Sequence, residues 1–229
     1  MIISHKHKFI FVKTEKTAGT SLEIALSKHC GPGDILSSLM PEDEEMRSEL
    51  GYPSAQNFRL PLTRYTVADT LRCLHSRKPL HFFNHARALF IRNHVDAEVW
   101  DSYYKFCFER NPWDKLISIY YWEHREEPRP TILQYLKSKD FVDFRTRSWN
   151  MYTEDSKVIV DKVFLYDQLP QALAQIQGKI GLDEPLTLPL TKTSQRKDKR
   201  NYQEILTNDC REEIAEICHQ EIDLFDFQW

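Results

Sequence analysis

Uninterrupted apolar runs and helical spacings take turns along this chain. The run Phe9-Ile10-Phe11-Val12 has the pattern of a strand buried on both faces of a parallel sheet. A polar loop, residues 13–19, follows, and Leu22, Ala25 and Leu26 then fall at helical spacing until Gly31-Pro32 supplies a stop. The same order recurs at residues 104–108, a second strand, with Asn111 as N-cap, Pro112 at the first helical position and Asp114 in the first turn. That helix continues through Leu116, Ile117 and Tyr120. A third apolar stretch, 158–160 and 163–165, predicts a strand or strand pair ahead of a helix over 169–180 that Gly181 ends. The last helix is predicted over about 208–222, with Ile214, Ile217 and Cys218 on one stripe and Leu224, Phe225 and Phe227 packed behind it. Strands alternating with helices define the α/β class. Segments 37–79 and 123–156 are weakly periodic and read as excursions from the sheet that carry surface or specificity; the first includes the acidic Glu42-Asp43-Glu44-Glu45. With no internal repeat and no composition break, one domain is expected over 1–229.

Composition narrows the picture without changing it. The 229 residues are 41% hydrophobic and 28% charged, which suits a globular chain with a full core and argues against disorder, coiled coil or collagen-like repeat. Lys+Arg number 31 against Asp+Glu 34, a net charge of -3, so an anion site must be a local feature rather than a property of the whole molecule. No run approaches the roughly 18 apolar residues of a membrane helix. His5-Lys6-His7-Lys8 leads into a short strand rather than a signal peptide. Five cysteines, odd in number and without a C-x-x-C pair, fit neither a zinc ribbon nor a complete disulfide framework. The expectation is a reduced, cytoplasmic protein without a membrane partner.

The candidate chemistry lies in two loops. Lys13-Thr14-Glu15-Lys16-Thr17-Ala18-Gly19-Thr20-Ser21 is a lysine- and hydroxyl-rich turn entering a helix whose free N–H groups and dipole favour an anion. It is not a Walker A loop, because Lys16 precedes Gly19 and no earlier glycine stands in the turn, and a G-x-G-x-x-G fingerprint is absent. Ala18 and Gly19 would let backbone amides approach a phosphate, while Thr20 and Ser21 add hydroxyls; the plainer alternative is an ordinary capped βα turn. The second loop, Phe108 to Ser118, puts Arg110 at a strand's C-terminal end and Ser118 two turns into the next helix. Both can face the crevice where open parallel sheets bind ligands. Arginine's planar fork suits two phosphate oxygens and serine adds a donor, although a surface ion pair and a solvent-facing serine are the bland alternatives.

Taken together, Glu15-Lys16-Thr17-Ala18-Gly19-Thr20-Ser21 and Phe108-Glu109-Arg110-Asn111-Pro112-Trp113-Asp114-Lys115-Leu116-Ile117-Ser118-Ile119-Tyr120 resemble the sulfotransferase superfamily, carbohydrate type. In that family the first loop reads P-K-T-[AG]-G-T-S and holds the 5′-phosphosulfate of 3′-phosphoadenosine 5′-phosphosulfate (PAPS); the second reads F-x-R-N-P-[WY]-[DE]-R-x-x-S-x-Y and holds the 3′-phosphate. Glu15 stands for the family's proline and Lys115 for its arginine. The resemblance extends to residues 100–106, 163–166 and 223–227 and fades in the two excursions. It implies a doubly wound, mainly parallel sheet with a P-loop-like sulfotransferase fold, PAPS as co-substrate, 3′,5′-ADP as product and no metal. The implied cofactor contacts are Lys16, Thr17, Ala18, Gly19, Thr20, Ser21, Arg110 and Ser118. A late basic loop, Lys192 to Arg200, adds Ser194, Arg196 and Lys199 as further contacts, with a solvated charged loop as the alternative. Tyr202 is the lone aromatic nearby, so a nucleic-acid groove is the weaker reading.

For the chemistry, Lys16 would offset charge on the departing oxygen, with Lys13 as fallback. The acceptor hydroxyl, of a carbohydrate or small polar metabolite, needs a base. His85 in Phe82-Phe83-Asn84-His85-Ala86-Arg87-Ala88 fits the family's H-x-x-A segment, and an ordinary imidazole pKa near 6.5 suits the task. His81, Glu23 and Glu42 are the rivals. Two other function classes stay open: a catalytically silent 3′,5′-ADP-binding protein on the same fold, and a nucleotide kinase with an atypical loop, which would need acidic metal ligands.

Overall fold

The computed structural model describes residues 1–138, 148–189, 198 and 200–229. Its centre is a five-stranded sheet built from β1 (Ile2–Ser4), β2 (Phe9–Phe11), β3 (Ile35–Leu36), β4 (Tyr104–Glu109) and β7 (Lys162–Leu165), in the order β3-β1-β2-β4-β7. β2, β4 and β7 are parallel to one another, as the apolar runs predict, while β1 is antiparallel to both β2 and β3. The sheet is therefore mixed. β1 and β3 were not legible: Ile2-Ile3 and Ile35-Leu36 are too short to show a period. A two-stranded ribbon, β5 (Thr153–Glu154) with β6 (Lys157–Val158), lies apart from the sheet.

Alternation within the strands divides the core. Ile2, Phe9, Phe11, Phe106, Phe108 and Phe164 face one side, where they meet Leu22, Ala25 and Leu26 of α1 (Gly19–Ser27) and Ala172, Ile176 and Ile180 of the helix Leu169–Ile180. Ile3, Ile10, Val12 and Cys107 face the other side, against Ala88 and Ile91 of α4 (Ala88–His94) and Trp100 of α5 (Ala97–Ser102). Helices on both faces explain why the central strands read as continuous apolar runs. A third cluster joins α6 (Pro112–Glu123) and α7 (Ile132–Leu136) to Cys210, Ile214 and Cys218 near the C-terminus.

The predicted punctuation holds at several ends. Asn111 caps α6 by accepting from the N–H groups of Trp113 and Asp114, Pro112 opens it, and Gly181 ends the Leu169–Ile180 helix in a left-handed conformation, φ 66°. Other expectations are corrected. α1 stops at Ser27, ahead of Gly31. The C-terminal helix is two, Asn208–Ile217 and His219–Phe225, broken at Cys218; the 3.6-residue stripe through Ile214, Cys218 and Glu221 runs across the break, so periodicity could not register it. Leu224 is exposed rather than packed, while Phe227 is buried. The first excursion is also more regular than its sequence suggests, holding α2 (Pro41–Glu49) and α3 (Val67–Ser76). All five cysteines are free.

Candidate functional site

The chain leaves β2 through α1 for β3 on one edge of the sheet and later returns as β4 on the other side of β2. Beyond the C-terminal ends of β2 and β4 such a divergence leaves a crevice. The loops after these two strands are tied together there. Thr14 Oγ1 donates to the Phe108 carbonyl at 2.5 Å and Arg110 Nη1 donates to the Lys16 carbonyl at 3.1 Å.

Between β2 and α1 the backbone is folded tightly, with Lys16 (φ 61°) and Ala18 (φ 59°) both in the left-handed region, at a cost of about 1 kcal/mol each. Gly19 is required by close approach: a Cβ there would lie 2.8 Å from Lys13 Cγ and 3.2 Å from the Thr14 carbonyl oxygen. Lys13 cannot step aside easily. It is buried, with Nζ 3.0 Å from Glu23 Oε2, and Glu23 also accepts from the Met1 amino group and from Ser37. Burial pushes the Glu23 carboxyl up, but these cationic neighbours outweigh it and hold the group below the usual carboxylate range. Above this anchored floor α1 begins with no side-chain hydrogen bond at its N-cap Ala18, in contrast to α6 and its Asn111. Helix-opening N–H groups without a side-chain cap are suited to an anion.

A cavity of about 500 Å³ opens onto that helix start, lined by Lys13, Lys16, Ala18, Gly19, Thr20 and Ser21 from the first loop and Arg110 and Ser118 from the second. Arg110 is held by three partners: its Nε and Nη2 donate to Asp114 Oδ2 at 2.8 and 2.5 Å, its Nη1 to the Lys16 carbonyl, and the guanidinium lies 4.5 Å from the centre of the Tyr166 ring. The ion pair expected as the bland alternative is thus present, and the cavity placement is present beside it. Trp122, one helical turn beyond Ser118, carries the Lys16 ammonium over its ring at 4.6 Å. One expectation shifts. The Thr17 hydroxyl turns inward to Thr14, and the residue is buried and does not line the cavity. Lys115 points away from the cavity, into a buried cluster with Glu109 (2.6 Å) and Ser148 (2.8 Å). Ser194, Arg196 and Lys199 lie outside the described residues.

His85 stands at the rim of this cavity, in the turn before α4. Its Nδ1 is 3.0 Å from the Lys13 carbonyl oxygen, which can only accept, so Nδ1 carries the proton and Nε2 keeps its lone pair. Burial first, and the Lys13 charge second, lower its pKa to about 4, well under the 6.5 expected from the sequence. A second cavity, about 570 Å³, lies on its far side and is lined by Thr66, Asp69, Phe83, Phe90, Asn93 and Met151 among others. His85 and Glu15 line both. Of the other candidate bases, His81 is exposed and lines neither cavity, Glu42 is exposed on α2, and Glu23 is sealed under the loop.

Sequence reasoning missed Trp122, Tyr166 and the double placement of Glu15. Trp122 was within reach, since it follows Ser118 at i+4 on a predicted helix. Tyr166 and Glu15 are set by tertiary contacts alone. Among the described residues no three His, Cys, Asp or Glu side chains group as a metal site, and no helix is long and apolar enough to cross a membrane.

Fold and site together define an α/β protein with a cation- and hydroxyl-lined crevice at the C-terminal ends of its parallel strands. No family model matches the chain, and no solved structure does. An uncharacterized protein of Archaeoglobus fulgidus is 34% identical to it over 124 residues, covering 52% of this chain and 98% of the archaeal one. The chain belongs to one family with that protein.

Proposed function

We propose that the chain is a PAPS-dependent sulfotransferase, moving a sulfonate from PAPS to a hydroxyl of a carbohydrate or small polar metabolite. The observation that carries this reading is the convergence of both motif-bearing loops on one cavity, with His85 between that cavity and a second one. On this reading the mixed sheet is a doubly wound, P-loop-like sulfotransferase core. Lys16, the backbone of residues 18 and 19, Thr20 and Ser21 take the 5′ side of the nucleotide; Arg110 and Ser118 take the 3′-phosphate. The residues fit such a ligand chemically, with backbone amides at a helix start and two cationic side chains near one another.

The second cavity then receives the acceptor. Both excursions reach it or its neighbour, through Thr66 and Asp69 from 37–79 and Met151 and Glu123 from 123–156. The acceptor oxygen bonds to sulfur as the bond from sulfur to the bridging phosphate oxygen breaks, the hydroxyl proton passes to His85 Nε2, and Lys16 offsets the charge left on 3′,5′-ADP. Incubation with isotopically labelled PAPS and a panel of polar acceptors, read by mass spectrometry for an added sulfonate, tests the proposal. Tight 3′,5′-ADP binding with no product from any acceptor would favour the silent nucleotide-binding alternative; no nucleotide binding at all would remove the reading.

A further inference from the structure

α3 lies on the surface with none of its residues buried, and it leaves a row of apolar side chains uncovered. Only Asp69 and Cys73 are half-buried; Asp69 closes a capping box with Thr66 and meets His94 Nε2 at 2.9 Å, while Thr70, Arg72, His75 and Ser76 are exposed. The apolar row is exposed as well. Val67, Leu71 and Leu74, spaced i, i+4 and i+7, are 81%, 63% and 73% exposed, and Leu62 just before the helix is 77% exposed. Isolated exposed leucines are common, but a row of them at one helical spacing marks a surface that is covered by something.

The surrounding charge says what kind of surface covers it. Residues 59–81 hold five basic side chains, Arg59, Arg64, Arg72, Arg77 and Lys78, against the single acid Asp69, inside a chain whose net charge is -3. Arg64 is paired with Asp96, whereas Arg59, Arg72, Arg77 and Lys78 are exposed. We propose that this segment docks on an anionic phospholipid bilayer, with the leucine row entering the boundary between headgroups and acyl chains and the arginines and lysine contacting lipid phosphates. An apolar stripe edged by basic residues is the pattern of an interfacial helix. Side chains exposed this far stand clear of their neighbours, and a fluid acyl layer can enclose them on every side. The expectation of no membrane partner came from the lack of a spanning segment, which does not bear on surface docking. The inference is independent of sulfonate transfer.

Vesicle flotation of the whole protein tests it, comparing phosphatidylcholine vesicles with phosphatidylcholine–phosphatidylglycerol vesicles. The protein is expected to float with the mixed vesicles, to do so less at high salt, and to stay behind with phosphatidylcholine alone. Leu71→Glu with Leu74→Glu, and separately Arg72→Glu with Arg77→Glu, should each cut the partition coefficient by roughly tenfold or more. These sites are exposed, so an unchanged melting temperature checks the fold. No flotation with either vesicle, or equal flotation with both, overturns the proposal. Self-association without vesicles that Leu71→Glu abolishes would overturn it too, by giving the face to a second copy of the chain.

Discussion

At the residue scale the decisive feature is how firmly a few buried side chains fix the loop before α1. Glu23 draws Lys13 beneath the turn, Lys13 fills the space a Cβ at Gly19 would need, and the Lys13 carbonyl sets the tautomer of His85. Gly19→Ala should therefore destabilise the fold by about 1 to 3 kcal/mol, the range for overpacking, as read from urea unfolding. A loss below about half a kilocalorie would show the loop to be looser than its contacts imply. The same residues set the pH behaviour. With the imidazole pKa lowered to about 4, His85 is neutral at pH 7, and kcat/KM should rise with pH through an ionisation near 4. Because the folded value lies below the unfolded one, the unfolded chain binds this proton first. The stability gained by keeping His85 neutral is complete above about pH 6.5 and is lost as pH falls toward 4, at most about 3 kcal/mol. His85→Gln should flatten that part of the stability profile. In turnover, His85→Ala should cost about 10² to 10⁴ with 3′,5′-ADP affinity unchanged, the scale of losing a general base. Lys16→Ala should cost about 10² to 10³ and weaken nucleotide binding as well. Near-normal turnover of His85→Ala, with chemistry rate-limiting, would place the base elsewhere.

At the scale of elements, two helix starts with opposite treatments sit side by side. α6 is closed by Asn111, whose side chain accepts two of its first N–H groups and whose Nδ2 donates to the Gln228 carbonyl at 3.1 Å. α1 has no side-chain cap and opens on the cavity. Arg110 belongs to the junction between them, since it reaches from the end of β4 to the Lys16 carbonyl. If that junction binds a 3′-phosphate, 3′,5′-ADP should raise the melting temperature more than ADP does, and Arg110→Ala should narrow the difference. Equal shifts from both nucleotides in the unmodified protein would take the second loop out of the nucleotide site. Stacking on Tyr166 and the Asp114 pair hold the guanidinium in place beforehand, which lowers the ordering cost of binding.

At the scale of the whole molecule, the central strands set the loops after β2 and β4 side by side, and Met40, Thr66, Asp69, Glu123 and Met151 of the two excursions line the cavities beside them. The core is packed from both faces of the sheet, and if the proposed site takes nucleotide, saturating ligand should stabilise the fold. At about a hundredfold over Kd the gain should be roughly 2.7 kcal/mol, measurable as a melting shift without added metal. Exchanging 37–79 or 123–156 for the matching segment of a relative should alter acceptor preference while leaving nucleotide affinity nearly constant, as loops on a rigid scaffold commonly carry specificity. A large loss of nucleotide affinity in a folded chimera would show that the excursions build the first cavity as well as the second.

Much of this was written in local pattern. The continuous runs at Phe9 and Tyr104 declare strands covered on both faces, Asn111-Pro112 and Gly181 declare helix ends, and the lysine- and hydroxyl-rich turns declare where an anion could sit. Each of these depends on the residues within one or two turns, so the sequence alone determines it. The remainder arises from contacts between residues far apart in the chain. Ile2–Ser4 and Ile35–Leu36 become strands only because β2 offers an edge to pair with. The neutral His85 is a product of burial and of a lysine 72 positions earlier, and Tyr166 meets Arg110 only once β4 and β7 lie parallel. Tertiary structure decided these because pairing, burial and the electric field at a side chain are set by spatial neighbours, which the order of residues along the chain does not name.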